Sequence, residues 1–261
     1  MSRTLRLMVL FSGASIFALL IAITLHELGH VLAVYFLYGQ ISTIRFDSLA
    51  SASVSYSVSH PQPFHQLLVS LAGIALGPLL GLAVFIAVWP SRSPWTVSLL
   101  MVGVTSLAAN GFMSLVGVLF SCINDISRSI VLGTSKILLV LYGSFLLMMG
   151  LTLFLRIKPF LGFKKSDSLL DEIKIITGGL LPYVVGAIGY NMVYHPSMVE
   201  MNFCYCLVII FVMTGVCFSR ALNIGPREDI NVVITWRHAL FAVSICLAVI
   251  VILLGVHVNK S

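Results

Sequence analysis

The sequence predicts an all-α polytopic membrane protein of about seven transmembrane helices, with a short β-hairpin after the first. Three observations carry this. Of the residues, 59% are hydrophobic and only 9% charged, where soluble domains carry about a quarter charged residues. Long apolar runs recur along the chain, so it should fold as a helix bundle in lipid, with every backbone polar group satisfied inside the protein. Between the first and second runs, at residues 40–63, the helical pattern gives way to polar–apolar alternation.

The first apolar run covers residues 7–38, and Gly39 ends it. At 1.5 Å per residue such a helix is about 48 Å long, more than the roughly 30 Å hydrocarbon core requires, so it must tilt, break or protrude. Arg3 and Arg6 ahead of it imitate a secretory signal, but the run continues straight through its polar motif, which predicts an uncleaved first span. Within 40–63, residues 41–46 and 53–59 alternate as strands do. A hairpin there could offer an edge to an extended peptide, or be a plain surface hairpin. His60 and His65 flank two prolines and read as interfacial residues rather than ligands.

The second helix, 64–89, carries Gly73, Gly77 and Gly81 four residues apart, a small-residue face that lets another helix approach. Pro78 should kink it or loosen its hydrogen bonding. The third helix, 95–120, has Ser106, Asn110 and Ser114 on one face, and Asn110 at mid-membrane needs a hydrogen-bonding partner. A loop, 121–128, follows. Further spans are predicted at 137–155, 175–194, 203–218 and 238–256, with the charged stretch 156–174 as the longest late loop. There is no internal repeat and no separate soluble domain. The five cysteines, an odd number, give no disulfide framework, and Cys204 and Cys206 read as small core residues on different helix faces. The net charge of +6 comes from basic residues in loops, where they set orientation in a membrane lipid bilayer; it is not a nucleic-acid footprint.

Chemistry concentrates in His26-Glu27-Leu28-Gly29-His30, inside the first helix. Imidazoles at i and i+4 lie on one helix face and can bind one Zn²⁺, with Glu27 placed to act as general base toward water. Ionisable groups at membrane depth are costly and mark function more often than structure. The plainer reading is a helix end with polar residues at headgroup level.

At these residues the chain resembles the site-2 protease family, intramembrane zinc metalloproteases whose hallmark is His-Glu-x-x-His in a transmembrane helix. The resemblance implies a three-helix catalytic core, residues 1–132, followed by helices 4 to 7 in 133–261. Gly77-Pro78 resembles the family's Gly-Pro element after the zinc helix, and family members similarly carry β-structure after that helix. A catalytic zinc usually has three protein ligands and one open position. Asp47 and Asp125 are the acidic candidates upstream of the late loops, Cys122 is a weaker one, and Asp125 could instead cap a helix or pair with Arg128. The end of the third helix lies at a depth compatible with His30. The resemblance places an aspartate ligand there, downstream of an asparagine, and so implies Asp125 as ligand and Asn110 as a holder of substrate backbone. The family's usual prolines between the two are absent, and Ile126 stands where glycine is common.

The expected function is therefore an intramembrane zinc endopeptidase acting on membrane-embedded or membrane-adjacent segments of a membrane protein substrate. The expected ligands are His26, His30 and Asp125, with Glu27 as base. Alternatives are a non-hydrolytic membrane zinc protein, such as a transporter or sensor, and a protease-like scaffold. Transporters usually show repeated or paired broken helices, and none is apparent; an intact Glu27 speaks against the scaffold. With seven spans, eleven Lys and Arg fall on the N-terminal side against four on the other, which favours a cytoplasmic N-terminus.

Overall fold

The computed structural model describes residues 2–40, 43–48, 51–58, 61–120, 124–164, 166–194 and 233–258. These are mostly helical. In chain order they form α1 (Arg3–Tyr38), β1 (Thr43–Ser48), β2 (Ser51–Ser55), α2 (Pro63–Val88), α3 (Val97–Phe120), α4 (Asn124–Val131), α5 (Lys136–Ile157), α6 (Leu169–Tyr194) and α7 (Trp236–Val258), with 3-10 turns at Trp89–Ser91 and Lys158–Leu161. Among the described residues, four helical stretches are long and apolar enough to cross a bilayer: Arg3–Tyr38, Pro63–Ser91, Val97–Phe120 and Lys136–Leu161. The expected spans at 175–194 and 238–256 fall in α6 and α7, which are not among those four, and the one at 203–218 lies outside the described residues. Cys204 and Cys206 lie outside them too.

The hairpin is present as an antiparallel pair, with Ile44 opposite Val54, Arg45 opposite Ser53 and an irregularity between Phe46 and Ser48. Its second strand ends at Ser55, short of the expected reach to 59. Two expectations about loops are corrected. The segment expected as a loop at 121–128 is helical from Asn124 onward. Its helix is short, and its apolar residues Ile126 and Ile130, one turn apart, face the interior while Asp125 and Arg128 sit in the first and last turns, where the helix dipole favours them. The charged stretch 156–174 is mostly ordered as helix. The Ser168 hydroxyl accepts the Asp171 N–H at 3.1 Å and donates to the Asp171 carboxylate at 2.6 Å, so Ser168 caps the start of α6 at Leu169.

The chain divides into two compact units. One comprises Leu19–Val84 and Gly103–Gly150. In it Ile74, Ile126 and Leu139 form a buried cluster, joined by Leu71, Val118, Ile130 and Tyr142, which seats α4 against α2, α3 and α5. The Ile74 carbonyl is the one that Pro78 leaves without its helical N–H partner, and the Tyr142 hydroxyl donates to it at 2.9 Å. This is how a proline is accommodated in an apolar helix: a neighbouring helix supplies the missing donor. On α5, Ile137, Leu138, Leu141, Phe145 and Met148 are all exposed. A patch of that kind suits lipid, not water.

The other unit comprises Met1–Ala18, Phe85–Val102 and Leu151–Ser261, described in part. The Arg3 guanidinium makes two bonds of 2.8 Å to the Asp167 carboxylate and donates to the Gly162 carbonyl at 2.6 Å. The Lys158 ammonium donates to the buried Glu172 carboxylate at 2.6 Å. These two pairs tie the 156–174 segment to the start of α1 and to α6.

Candidate metal centre

All the residues of the motif and its neighbours below belong to the unit of Leu19–Val84 and Gly103–Gly150. On α1, His26 and His30 project from one face, their rings 4.9 Å apart and edge to face. Their Nε2 atoms lie 3.2 Å from each other. Asp125, in the first turn of α4, brings its Oδ2 to 3.2 Å from each of those nitrogens. Three donor atoms thus form a triangle of equal 3.2 Å edges. Zinc–nitrogen and zinc–oxygen bonds of about 2.0–2.2 Å in tetrahedral geometry ask for ligand–ligand distances of about 3.3–3.5 Å. The spacing of the three donors is one that a single zinc ion could bridge.

Two observations on α2 sharpen the fit. His30 Nδ1 lies 2.7 Å from the Val69 carbonyl. A carbonyl only accepts, so Nδ1 carries the hydrogen and the Nε2 lone pair faces the triangle. Gly73 comes against the same spot. A Cβ built on it would touch His30 Nε2 and lie 2.7 Å from His26 Nε2, where a metal shared by the two rings has to sit. Gly77, one turn on, lies against the His26 backbone, where a Cβ would come within 3.0 Å of the His26 Cα. The glycine face expected to admit a neighbouring helix does so, and the helix admitted is the one carrying the histidines. That Gly73 also leaves the space beside the two Nε2 atoms clear was not legible in advance.

Exposure rises from His30 (side chain 7%) through His26 (21%) to Asp125 (33%), so the open side of the triangle lies toward α4. Asp125 does not pair with Arg128 in this arrangement. The Arg128 guanidinium donates to the Gln66 side chain at 2.9 Å.

Glu27 is buried, 7% exposed. Its carboxylate lies within 4.8 Å of the ligand atoms of His26 and His30, so by distance it too could reach a metal. Asp125 is the carboxylate that closes the equal triangle. Asn110, buried on α3, turns its Oδ1 to His26 Nδ1 at 2.8 Å and its Nδ2 to the Ser106 carbonyl at 2.8 Å. The asparagine expected to hold substrate is thus engaged with a histidine. His65 packs its ring 5.4 Å from Tyr38. Of the other ligand candidates, Cys122 lies outside the described residues and Asp47 falls in β1; His60, expected as interfacial, also lies outside the described residues.

Comparison with family models, curated proteins and solved structures finds no match for this chain.

Proposed function

We propose that the protein is an intramembrane zinc endopeptidase, with His26, His30 and Asp125 as ligands and Glu27 as the catalytic base. The observation that carries this reading is the equal 3.2 Å triangle of Nε2, Nε2 and Oδ2, with a buried glutamate one residue after the first histidine. Zinc, when bound, supplies the Lewis acidity that activates water and polarises the scissile carbonyl. Glu27 takes the proton of the attacking water on a carboxylate oxygen and hands it to the leaving amine. The neutral imidazoles and the Asp125 carboxylate hold the ion, and Gly73 keeps its position clear. The partly exposed Asp125 side admits the substrate backbone. The substrate is a membrane-embedded or membrane-adjacent segment of another membrane protein, presented extended. About seven spans are proposed, α6 and α7 among them, and on the charge count the N-terminus faces the cytoplasm.

Purified protein should hold about one zinc per chain, as a mononuclear site does, and Glu27→Gln should keep that zinc while abolishing cleavage of membrane proteins in cells. Cleavage by Glu27→Gln at the wild-type rate would overturn the mechanism. Absence of zinc from the wild type would overturn the site.

A further inference from the structure

We propose that Asn110 is a positioning residue for the metal centre: its carboxamide oxygen holds His26 in the one tautomer whose Nε2 lone pair faces the triangle. This rests on the metal reading above and replaces the substrate-holding role that the resemblance implies.

The assignment follows from donor and acceptor chemistry alone. The Ser106 carbonyl can only accept, so the Asn110 atom 2.8 Å from it is the amide nitrogen. The planar carboxamide then turns its oxygen to His26 Nδ1, at 2.8 Å. An amide oxygen can only accept, so His26 Nδ1 carries the hydrogen. A neutral imidazole has one N–H, which leaves the lone pair on Nε2, 3.2 Å from His30 Nε2 and from Asp125 Oδ2. No step in this chain has an alternative once the Ser106 carbonyl is in place. Ser106, Asn110 and Ser114 recur at i, i+4 and i+8 on one face of α3 and are all buried, and the Ser114 hydroxyl donates to the Asn110 carbonyl at 2.8 Å. Bulk water therefore does not reach the amide to take over its bonds.

The two histidines are supported differently. His30 is oriented by the Val69 backbone carbonyl, which no side-chain substitution removes. His26 depends on one side chain. Partners of this kind raise ligand basicity and fix ring orientation, and their loss typically costs about 10–100-fold in metal affinity. A residue that held only substrate would leave metal affinity unchanged.

The experiment measures zinc affinity of the detergent-solubilised full chain by competition with a chromogenic chelator, and the visible absorption of the cobalt(II)-loaded protein. Asn110→Leu, which has no acceptor, should bind zinc about 10–100-fold more weakly and show altered cobalt bands. Asn110→Asp, which keeps an oxygen opposite His26 Nδ1, should recover most of the loss. Ser114→Ala removes a bond from the same helix turns but leaves the acceptor, and should bind as the wild type does. If Asn110→Leu does not fold, Asn110→Ala replaces it in the same comparison. Wild-type affinity and spectrum in the acceptor-free variant would overturn the proposal, as would an Asp variant no better than it. Metal uptake by the wild type without any Asn110 effect overturns this proposal alone. A wild type that takes up neither zinc nor cobalt overturns the metal reading and this proposal with it.

Discussion

A Cβ placed on Gly73 of α2 would lie 2.7 Å from Nε2 of His26 on α1. That distance leaves no room for both a side chain and a metal. Gly73→Ala should therefore cut zinc content sharply, at least about tenfold in affinity, with the helix itself intact. Alanine is the better helix former by about 1 kcal/mol, so the steric cost falls on the histidine rings that the Cβ meets rather than on the α2 backbone. Zinc per chain and thermal stability, measured on the same sample, check both halves. Full zinc retention would mean that the rings coordinate from another position.

The third ligand separates by charge removal. Asp125→Asn should weaken zinc binding strongly, because it replaces one corner of the 3.2 Å triangle with a poorer donor. Asp47→Asn and Cys122→Ser should leave it unchanged. The reverse pattern, read by metal analysis, would move the third ligand elsewhere.

The Lys158–Glu172 pair should behave as buried ion pairs do. Glu172 is 2% exposed, so Lys158→Met removes the ammonium from a buried carboxylate and should destabilise by about 3 kcal/mol. The double variant Lys158→Met/Glu172→Leu should recover much of that loss, since an apolar pair carries no desolvation cost. Denaturant titration in mixed micelles gives the comparison. A double variant as unstable as the single one would show that other Glu172 contacts dominate.

The Arg3–Asp167 contact sets a pH dependence. Burial tends to raise the Asp167 carboxyl, but bonds from Arg3 and from the Lys164 N–H and the nearby positive charges outweigh it and hold its pKa below the ordinary carboxylate value. A carboxyl depressed in the folded state stabilises above its unfolded pKa, and that contribution disappears as pH falls through the folded value. Wild type should therefore be more stable than Asp167→Asn at pH about 7, with the difference shrinking below pH about 4. Thermal scans of both across that range test it. A gap that persisted at pH about 2 would point to packing instead.

The proposed orientation rests on seven spans, which would put eleven basic residues on the N-terminal side against four on the other. On a cysteine-free background, a cysteine at Ser166 should be protected from an impermeant reagent in intact cells and one at Ser57 labelled. Both positions are exposed in the fold, so accessibility reports the side of the membrane. The opposite pattern would invert the protein and leave its metal chemistry as it is.

Much of this was legible along the chain, because it depends on local periodicity and composition. Runs of apolar residues locate α1, α2, α3 and α5 to within a few residues of their ends, and His26 and His30 share a face in any helix, whatever surrounds it. The alternation after Tyr38 announced a hairpin. Eight-residue α4 escaped, since a helix of two turns with two apolar residues on its inner face looks like a loop until Ile74 and Leu139 are there to cover it. The same holds for the partners at the centre. Asp125 reaches the histidines across 99 and 95 residues of chain, Asn110 reaches His26 across 84, and the Val69 carbonyl reaches His30 across 39. Sequence alone supplied two imidazoles on one face with a glutamate beside them, and only the resemblance pointed to Asp125. Tertiary packing decided that the Asp125 carboxylate closes the triangle and that the Asn110 amide meets the His26 ring, because contacts between helices depend on how their faces meet, and no local pattern encodes that.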